Sequence, residues 1–369
     1  MKVLFILPTF SRKGAGVMEA PKGLALALNS HVNIDISAIA LDDDRTSDCL
    51  KEWESINIYR RKNYFAGFSF GLSTLLDEIK PDIVHIHGLW VGIGIQSAFW
   101  AMKNKTPYIV SPHGMMDEWA WKKSLIKKAI VYKLWQKKVL LNAYKIHALN
   151  EEEAISIKKI LSNSAIIIQP NGINLKDYIG GPTKKKSPKK LLYLGRLDPK
   201  KSVLELIKAW KSLIQDAKDF NWKLEIAGSG DLEYEKKLKS EAKAIPYKYI
   251  TFKGHVSGEN KIECFKSSDA FILPSKSEGL PVAILEAWAS SLPVAMTKQC
   301  NLNEALELKL AFEVYPDIPK LEKSLSLFLS FDNSKFLRLG QESHQYVKKY
   351  YSWSNIAQEF NKLYSGMYN

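Results

Sequence analysis

Short apolar runs alternate with longer amphipathic stretches along almost the whole chain, and this alternation restricts the possible folds more than any other feature. In the first half the apolar runs are Val3–Leu7, Val32–Leu41, Ile83–Ile86, Tyr108–Ser111, Lys145–Leu149 and Ala165–Gln169. Helical periodicity lies between them, at Glu19–Leu28, Leu72–Ile79 and Glu151–Leu161 among others. A strand covered on both faces is apolar throughout, whereas the helix that covers it is apolar along one stripe, so the pattern predicts βαβ units and a parallel sheet. It stops at Gly180–Pro188, where two glycines, two prolines and a lysine run form the best linker in the chain. Beyond it the alternation restarts, with strands at Leu191–Leu194, Lys223–Ala227, Ile250–Phe252, Ala270–Leu273 and Val294–Met296. Helices are predicted at Val203–Ile214, Tyr234–Ala244, Lys261–Ser267 and Val282–Ser290. The reading is two doubly wound α/β domains, 1–182 and 187–351, with a tail helix over about 352–369 returning to the first.

Composition then removes several classes. The chain has 369 residues, 46% hydrophobic and 25% charged, which excludes a disordered tail protein. No run approaches the roughly 18 apolar residues needed to cross a bilayer, and the apolar start at Val3–Leu7 ends too soon, at Pro8, for a signal peptide. Three cysteines, Cys49, Cys264 and Cys300, are far apart and in no metal-ligand spacing, so neither a disulfide framework nor a zinc site is expected. A cytoplasmic protein follows from this reading. Lys and Arg number 53 against 39 Asp and Glu, a net charge of +14, which suits nucleic acid, an anionic membrane surface or phosphorylated small molecules. No nucleic-acid-binding module is visible. Between Asp117 and Lys145 eight lysines stand against two acids, interleaved with Trp119, Trp121, Tyr132, Trp135 and Tyr144. This reads either as a membrane-surface helix or as a solvated helix with its lysines toward water. Trp90, Trp119 and Trp121 suit either stacking on sugar rings or core packing.

In open α/β sheets ligands bind beyond the carboxyl ends of the strands, so the strand-to-helix loops carry the candidates. The first is Gly14-Ala15-Gly16, a turn of small residues or a backbone approach to an anion at a helix amino terminus. The second is Gly195-Arg196-Leu197-Asp198-Pro199-Lys200-Lys201, where a guanidinium fork and an ammonium suit a diphosphate, although Asp198 can pair with either cation. The third is Ser275-Lys276-Ser277-Glu278-Gly279-Leu280-Pro281, opening a helix that carries Glu286, with Pro281 expected as its first residue. Free N–H groups near Gly279 and Leu280, flanked by two carboxylates, can hold a phosphate while the acids accept sugar hydroxyls. Equally, Glu278 can complement the helix dipole and Glu286 be an ordinary helix residue. Asp42-Asp43-Asp44 is read as a solvated turn and no metal is expected. His85 and His87 alternate along a strand, at least one of them structural.

The segment S-x-E-G-L-P-x-x-x-L-E-A, containing Glu278 and Glu286, resembles the signature of family 4 of the retaining glycosyltransferases. Further segments match in order: Pro170-Asn171-Gly172-Ile173-Asn174, Gly195-Arg196 with Lys201, Gly228-Ser229-Gly230, and Gly254-His255-Val256. Ser111-Pro112-His113-Gly114-Met115-Met116-Asp117 and Cys300-Asn301-Leu302-Asn303-Glu304-Ala305 are similar to segments of members that build bacterial surface polysaccharides. Ser202 stands where the family usually has glycine, and the first glycine loop lacks the usual adjacent pair.

The resemblance implies the GT-B fold, two Rossmann-like domains facing a central cleft. It implies that Arg196 and Lys201 hold a donor diphosphate and that Glu286 bonds the ribose hydroxyls. Glu278, Gly279 and Leu280 would hold the donor sugar. Gly16, Gly228 and Val256 would line the donor site, and His113 would face the reacting sugar. The expected reaction is transfer from a UDP- or GDP-sugar to a glycan, lipid-linked in this reading, with retention and with neither metal nor cofactor. The expected setting is lipopolysaccharide or other surface-polysaccharide synthesis, with peripheral membrane contact through 117–145 and no nucleic-acid partner. The rival readings are a sugar-nucleotide epimerase of the same fold and a non-catalytic basic protein that binds membrane or nucleic acid.

Overall fold

The structure is a computed structural model that describes residues 1–14, 16–31, 33–116, 125–162, 164–178, 188–216 and 221–368. It divides into two compact units, Met1–Gly172 with Trp353–Asn369, and Ile173–Ser352. No described helix is long and apolar enough to cross a membrane.

The first unit is built on seven parallel strands. These are β1 (Lys2–Thr9), β2 (Asp35–Leu41), β3 (Asn57–Arg61), β4 (Ile83–His87), β5 (Tyr108–Ser111), β6 (Lys145–Ala148) and β7 (Ile166–Ile168). Their order is β3-β2-β1-β4-β5-β6-β7, so the winding direction reverses between β1 and β4. Side chains of successive strand residues point to opposite faces, and β1 feeds two separate cores. Leu4 and Ile6 join the cluster that holds the helix Gly92–Asn104, while Val3, Phe5 and Leu7 join the cluster beneath the helices Gly16–Leu28 and Trp353–Tyr368. The β3 edge strand has no counterpart among the apolar runs of the sequence. It ends in Arg60 and Arg61, and an edge strand covered on one side needs no continuous apolar run.

The second unit repeats the plan with six parallel strands. These are β8 (Lys189–Leu194), β9 (Trp222–Ala227), β10 (Ile250–Gly254), β11 (Ala270–Leu273), β12 (Val294–Met296) and β13 (Phe312–Glu313). The order β10-β9-β8-β11-β12-β13 reverses between β8 and β11. Sequence placed the end of the first domain at Pro182, whereas the compact units divide after Gly172. The reason is packing: Ile173 and Tyr178 are buried in the core of the second unit with Phe265 and Leu285. Of the expected linker Gly180–Pro188, residues 180–187 lie outside the described residues.

The tail helix Trp353–Tyr368 buries Ile356, Ala357, Phe360 and Tyr364 in the first unit's core. Two glycines make room for the indole that begins it. A Cβ on Gly23 would lie 2.3 Å from the Trp353 ring, and one on Gly172 would lie 2.5 Å from it. Gly23→Ala is therefore expected to destabilise the fold by about 1–3 kcal/mol through overpacking, measured by denaturant unfolding, with amide protection lost first over 353–368.

Candidate functional site

Both motif loops of the second unit emerge where its winding reverses, one after β8 and one after β11. The β8 loop is fixed by its own backbone. Tyr193 Oη donates to the Arg196 carbonyl at 3.0 Å, and the Asp198 carboxylate accepts from the Lys200 amide at 3.0 Å, opening a short 3₁₀ turn, Pro199–Lys201. Ser202 follows with φ +55°, the left-handed conformation that explains why a glycine suits this position. Arg196 presents an exposed guanidinium with no ion pair among the described residues. Lys200 is half-buried, and burial together with the neighbouring Lys201 ammonium holds its pKa below the ordinary lysine value.

The loop after β11 is bonded to the first. Lys201 Nζ pairs with Glu278 Oε1, Ser275 Oγ donates to the same oxygen at 2.6 Å, and the Lys276 amide donates to the Lys200 carbonyl at 2.7 Å. From the other side, the Glu278 amide donates to the Gln299 carbonyl at 3.0 Å and Asn301 Nδ2 donates to the Glu278 carbonyl at 2.8 Å. Gly279 is exposed, with open space where a Cβ would stand, and Leu280 packs its side chain on the core. Pro281 is the N-cap of the helix Val282–Ala289, one position earlier than expected, because its ψ of 90° is extended.

Glu286, inside that helix, is 5% exposed. Tyr178 Oη donates to its Oε1 at 2.7 Å and Lys261 Nζ pairs with the same atom. Burial, and then the Glu286 carboxylate, raise the Tyr178 pKa, so the phenol stays a donor. The second oxygen, Oε2, makes no hydrogen bond among the described residues. Sequence reasoning missed Tyr178, Lys261, Ser275 and Asn301. Only Ser275 and Asn301 lay inside quoted motifs, whereas Tyr178 and Lys261 lie 108 and 25 positions from Glu286 and carry no local signal.

Gly228 has a structural reason of its own. Its φ is +143°, and a Cβ there would lie 1.8 Å from the Gly195 carbonyl oxygen; one on Gly230 would lie 1.9 Å from that of Leu197. The loop Gly228–Gly230 thus presses backbone against the Arg196 loop, with the Leu197 amide donating to the Ser229 carbonyl at 2.9 Å. On its far side the Gly228 amide donates to the Gly254 carbonyl at 2.7 Å, and Val256 follows, partly buried against the core. Arg196, Lys201, Gly228, Val256, Glu278, Gly279, Leu280 and Glu286 accordingly belong to loops and one helix at adjacent strand ends.

Gly16 and His113 belong to the first unit. Gly16 is the exposed first residue of the helix Gly16–Leu28, and a Cβ there meets nothing, so packing does not demand its glycine. Ala15 lies outside the described residues. Asp43 is more than a solvated turn: its Oδ2 accepts from Thr9 Oγ1 and Ser11 Oγ, each at 2.6 Å, and holds the loop after β1. Trp90 packs against the first unit's core, and Trp119 and Trp121 lie outside the described residues.

His113, at φ +53°, places Nε2 at 3.1 Å from His87 Nδ1. Beside this pair runs a directional chain. His147 Nε2 faces the Gln169 carbonyl at 2.6 Å and must donate, so its Nδ1 accepts from Ser111 Oγ at 2.7 Å. Ser111 Oγ then accepts from His85 Nε2 at 2.7 Å, and His85 Nδ1 accepts from Tyr364 Oη at 2.7 Å. Burial pushes His113 down to about 3 and His147 to about 4, while His85 and His87 are held well below the ordinary value by burial and by neighbouring imidazoles. All four rings are neutral at neutral pH, and His85, bonded through both ring nitrogens inside the core, is structural.

Comparison with known proteins agrees with this architecture. Residues 38–177 match the profile of glycosyltransferase family 4 and residues 176–335 that of the group 1 glycosyl transferases. The chain belongs to glycosyltransferase family 4. The UDP-Gal:α-D-GlcNAc-diphosphoundecaprenol α-1,3-galactosyltransferase of Escherichia coli is 31% identical to this chain over 247 residues, 63% of the chain and 61% of that relative. The chain thus spans about three fifths of that relative's length. Anabaena HepE solved with UDP superposes with a TM-score of 0.79 at 14% identity, over 99% of this chain and 100% of that one. A sucrose-phosphate synthase from Thermosynechococcus elongatus gives 0.75 at 15% identity, over 100% and 99%. These two share the GT-B fold with this chain.

Two outcomes are expected. Lys201→Met leaves a buried Glu278 without its cation and should cost about 3–5 kcal/mol in denaturant unfolding, most of it recovered in Lys201→Met/Glu278→Gln. The histidines have folded-state pKa values below the unfolded 6.5, so their contribution is complete above pH 6.5 and is lost as pH falls toward about 4 and then 3. Unfolding free energy should therefore drop over that window by up to about 1.4 kcal/mol per pH unit for each histidine, and His147→Gln should flatten the slope.

Proposed function

We propose that this glycosyltransferase moves a sugar from a nucleotide diphosphate, held by its second unit, to a hydroxyl of a glycan acceptor. The observation that carries the reading is the bonded pair of loops at the β8/β11 reversal, with Arg196 exposed beside them and Glu286 held from one side. Breaking the bond from an anomeric carbon to a diphosphate leaves negative charge on the departing oxygens, and the Arg196 fork and the Val282–Ala289 helix amino terminus are suited to stabilise it without a metal. Lys201 joins them while positioning Glu278 for a donor-sugar hydroxyl. Glu286 Oε2, with Oε1 already engaged by Tyr178 and Lys261, is the acceptor for a ribose hydroxyl. Gly279 and Leu280 line the donor-sugar site, with Val256 beside the base, Gly228 holding the Arg196 loop in place and Gly16 offering a helix amino terminus to phosphate. His113, kept neutral, contacts the reacting sugar, and transfer proceeds with retention.

Names of similar proteins extend the reading. HepE was solved with UDP, which supports a UDP-sugar as donor, with GDP-sugars as the alternative. The Escherichia coli relative acts on a diphosphoundecaprenol-linked sugar, which supports a lipid-linked acceptor. The proposal extends to the assembly of surface polysaccharide or lipopolysaccharide, with the work done at the cytoplasmic face of a membrane.

A thermal-shift panel of nucleotide sugars tests the proposal. The cognate donor at 100 times its dissociation constant should add about 2.7 kcal/mol of stability, and Arg196→Ala should remove most of that shift. No shift with any nucleotide sugar would overturn the donor site. Nucleotide release only when acceptor is supplied separates transfer from epimerisation.

A further inference from the structure

The loop 62–71 of the first unit was not singled out by any motif, yet it carries some of the most exposed aromatic rings of the chain. Phe65 is 82% exposed, Phe70 74% and Tyr64 52%. Such exposure on a mobile loop can be relieved by collapse, but this loop is pinned. The Tyr64 amide donates to the Phe68 carbonyl at 3.1 Å, the Phe68 amide to that of Phe65 at 2.9 Å, and the Gly92 amide to that of Ala66 at 3.0 Å. Gln96 grips Ser69 by both groups, accepting from its amide at 2.9 Å and donating to its carbonyl at 3.1 Å. Arg61 Nη2 donates to the Phe70 carbonyl. Gly67, at φ +80°, and Gly92 meet so closely that a Cβ on Gly67 would lie 2.4 Å from Val91 Cγ1, and one on Gly92 would lie 2.5 Å from the Phe68 nitrogen. The clamp fixes the backbone and leaves the rings outward, Tyr64 and Phe70 stacked edge to face at 4.7 Å.

The rings continue into a wider surface. Phe68, at the root of the loop, lines a hollow of about 480 Å³ with Phe99, Trp100 and Trp135. Trp135 belongs to the helical stretch Leu125–Leu141, whose outer side is mixed: Ile130, Leu134 and Leu141 are each more than half exposed, between exposed Lys133, Lys137 and Lys138. Lys62 adds an ammonium 5.5 Å from the Tyr64 ring. Neither residues 55–76 nor residues 125–149 contain an acid, although Asp77, at the hollow's edge, accepts from Trp100 Nε1 at 2.7 Å.

We infer that this surface docks on a bilayer containing anionic lipid, with Phe65 and Phe70 entering the interface and the lysines facing headgroups. This rests on the membrane contact expected for 117–145, of which 117–124 lie outside the described residues, and adds the element that a basic helix lacks, a fixed apolar insert. Charge decides the occupant. Protein interface cores are depleted of lysine, and a nucleic-acid groove has no use for exposed Ile130, Leu134 and Leu141, whereas aromatic rings beside lysines match the headgroup region.

The test uses the full chain with vesicles of phosphatidylcholine, alone or with 30% phosphatidylglycerol as an order-of-magnitude surface charge (~30% anionic). Wild type should co-sediment with the anionic vesicles, and Phe65→Ser/Phe70→Ser should weaken partitioning by about tenfold or more. These side chains are exposed, so the variant should keep its melting temperature and its nucleotide-sugar shift. The natural cysteines are buried, so a polarity-sensitive dye on Phe65→Cys reports position 65 and should shift to the blue on anionic vesicles. Binding by wild type with an undiminished double variant, or with no dye shift, overturns the role of the loop while the membrane reading stands. No binding by wild type overturns both, as does capture of single-stranded nucleic acid in preference to vesicles.

Discussion

The ion pair between Lys201 and Glu278 is the contact on which the arrangement of the second unit's strand-end loops depends. It joins the first turn after β8 to the loop after β11, two segments 77 residues apart that parallel topology alone brings to the same edge. The pair is mostly buried, its side chains 13% and 8% exposed, so removing either partner leaves an isolated charge in a poor solvent for it. Around it the backbone is over-determined: Ser275, Gln299 and Asn301 hold the Glu278 segment, and Gly228 and Gly230 press on the Arg196 loop. A diphosphate arriving at such loops meets groups already oriented, which is the condition under which fixed charges act most strongly on a departing anion.

The same economy appears around Glu286. One carboxylate oxygen receives both Tyr178 and Lys261, which fixes the plane of the group and leaves the other oxygen to serve as an acceptor. In the first unit a different device is used. The Gln169 carbonyl sets the tautomer of His147, and the setting passes through Ser111 and His85 to Tyr364 on the tail helix. His85 and His147 are polar groups in a core, acceptable because each proton in the chain has one direction to go.

Much of this was legible beforehand because it is local. Apolar runs of strand length marked β1, β4, β5, β8, β9 and β11, since a strand covered on both faces is mostly apolar. The helix Trp353–Tyr368 was visible in its periodicity. The loops around Arg196, Glu278 and Glu286 were legible as chemistry because cations, glycines and acids cluster within a few residues. By contrast β3 escaped, being an edge strand with two arginines, and the boundary at Gly172 escaped because it depends on where Ile173 and Tyr178 are buried rather than on the glycines and lysines that follow. The loop 62–71 escaped too, because exposure of an aromatic ring is not a property of its sequence neighbourhood.

By itself the sequence determined the βαβ alternation, the residues available at each strand end and the surplus of positive charge, all of which follow from side-chain type and spacing along the chain. Only tertiary structure decided which of those groups are paired. That Lys201 meets Glu278, that Gly228 makes room for the Gly195 carbonyl, that His113 leans on His87 and that Phe65 stands in the open are consequences of segments distant in sequence meeting in space. No local rule encodes such meetings, because the free energy that selects them belongs to the packed whole.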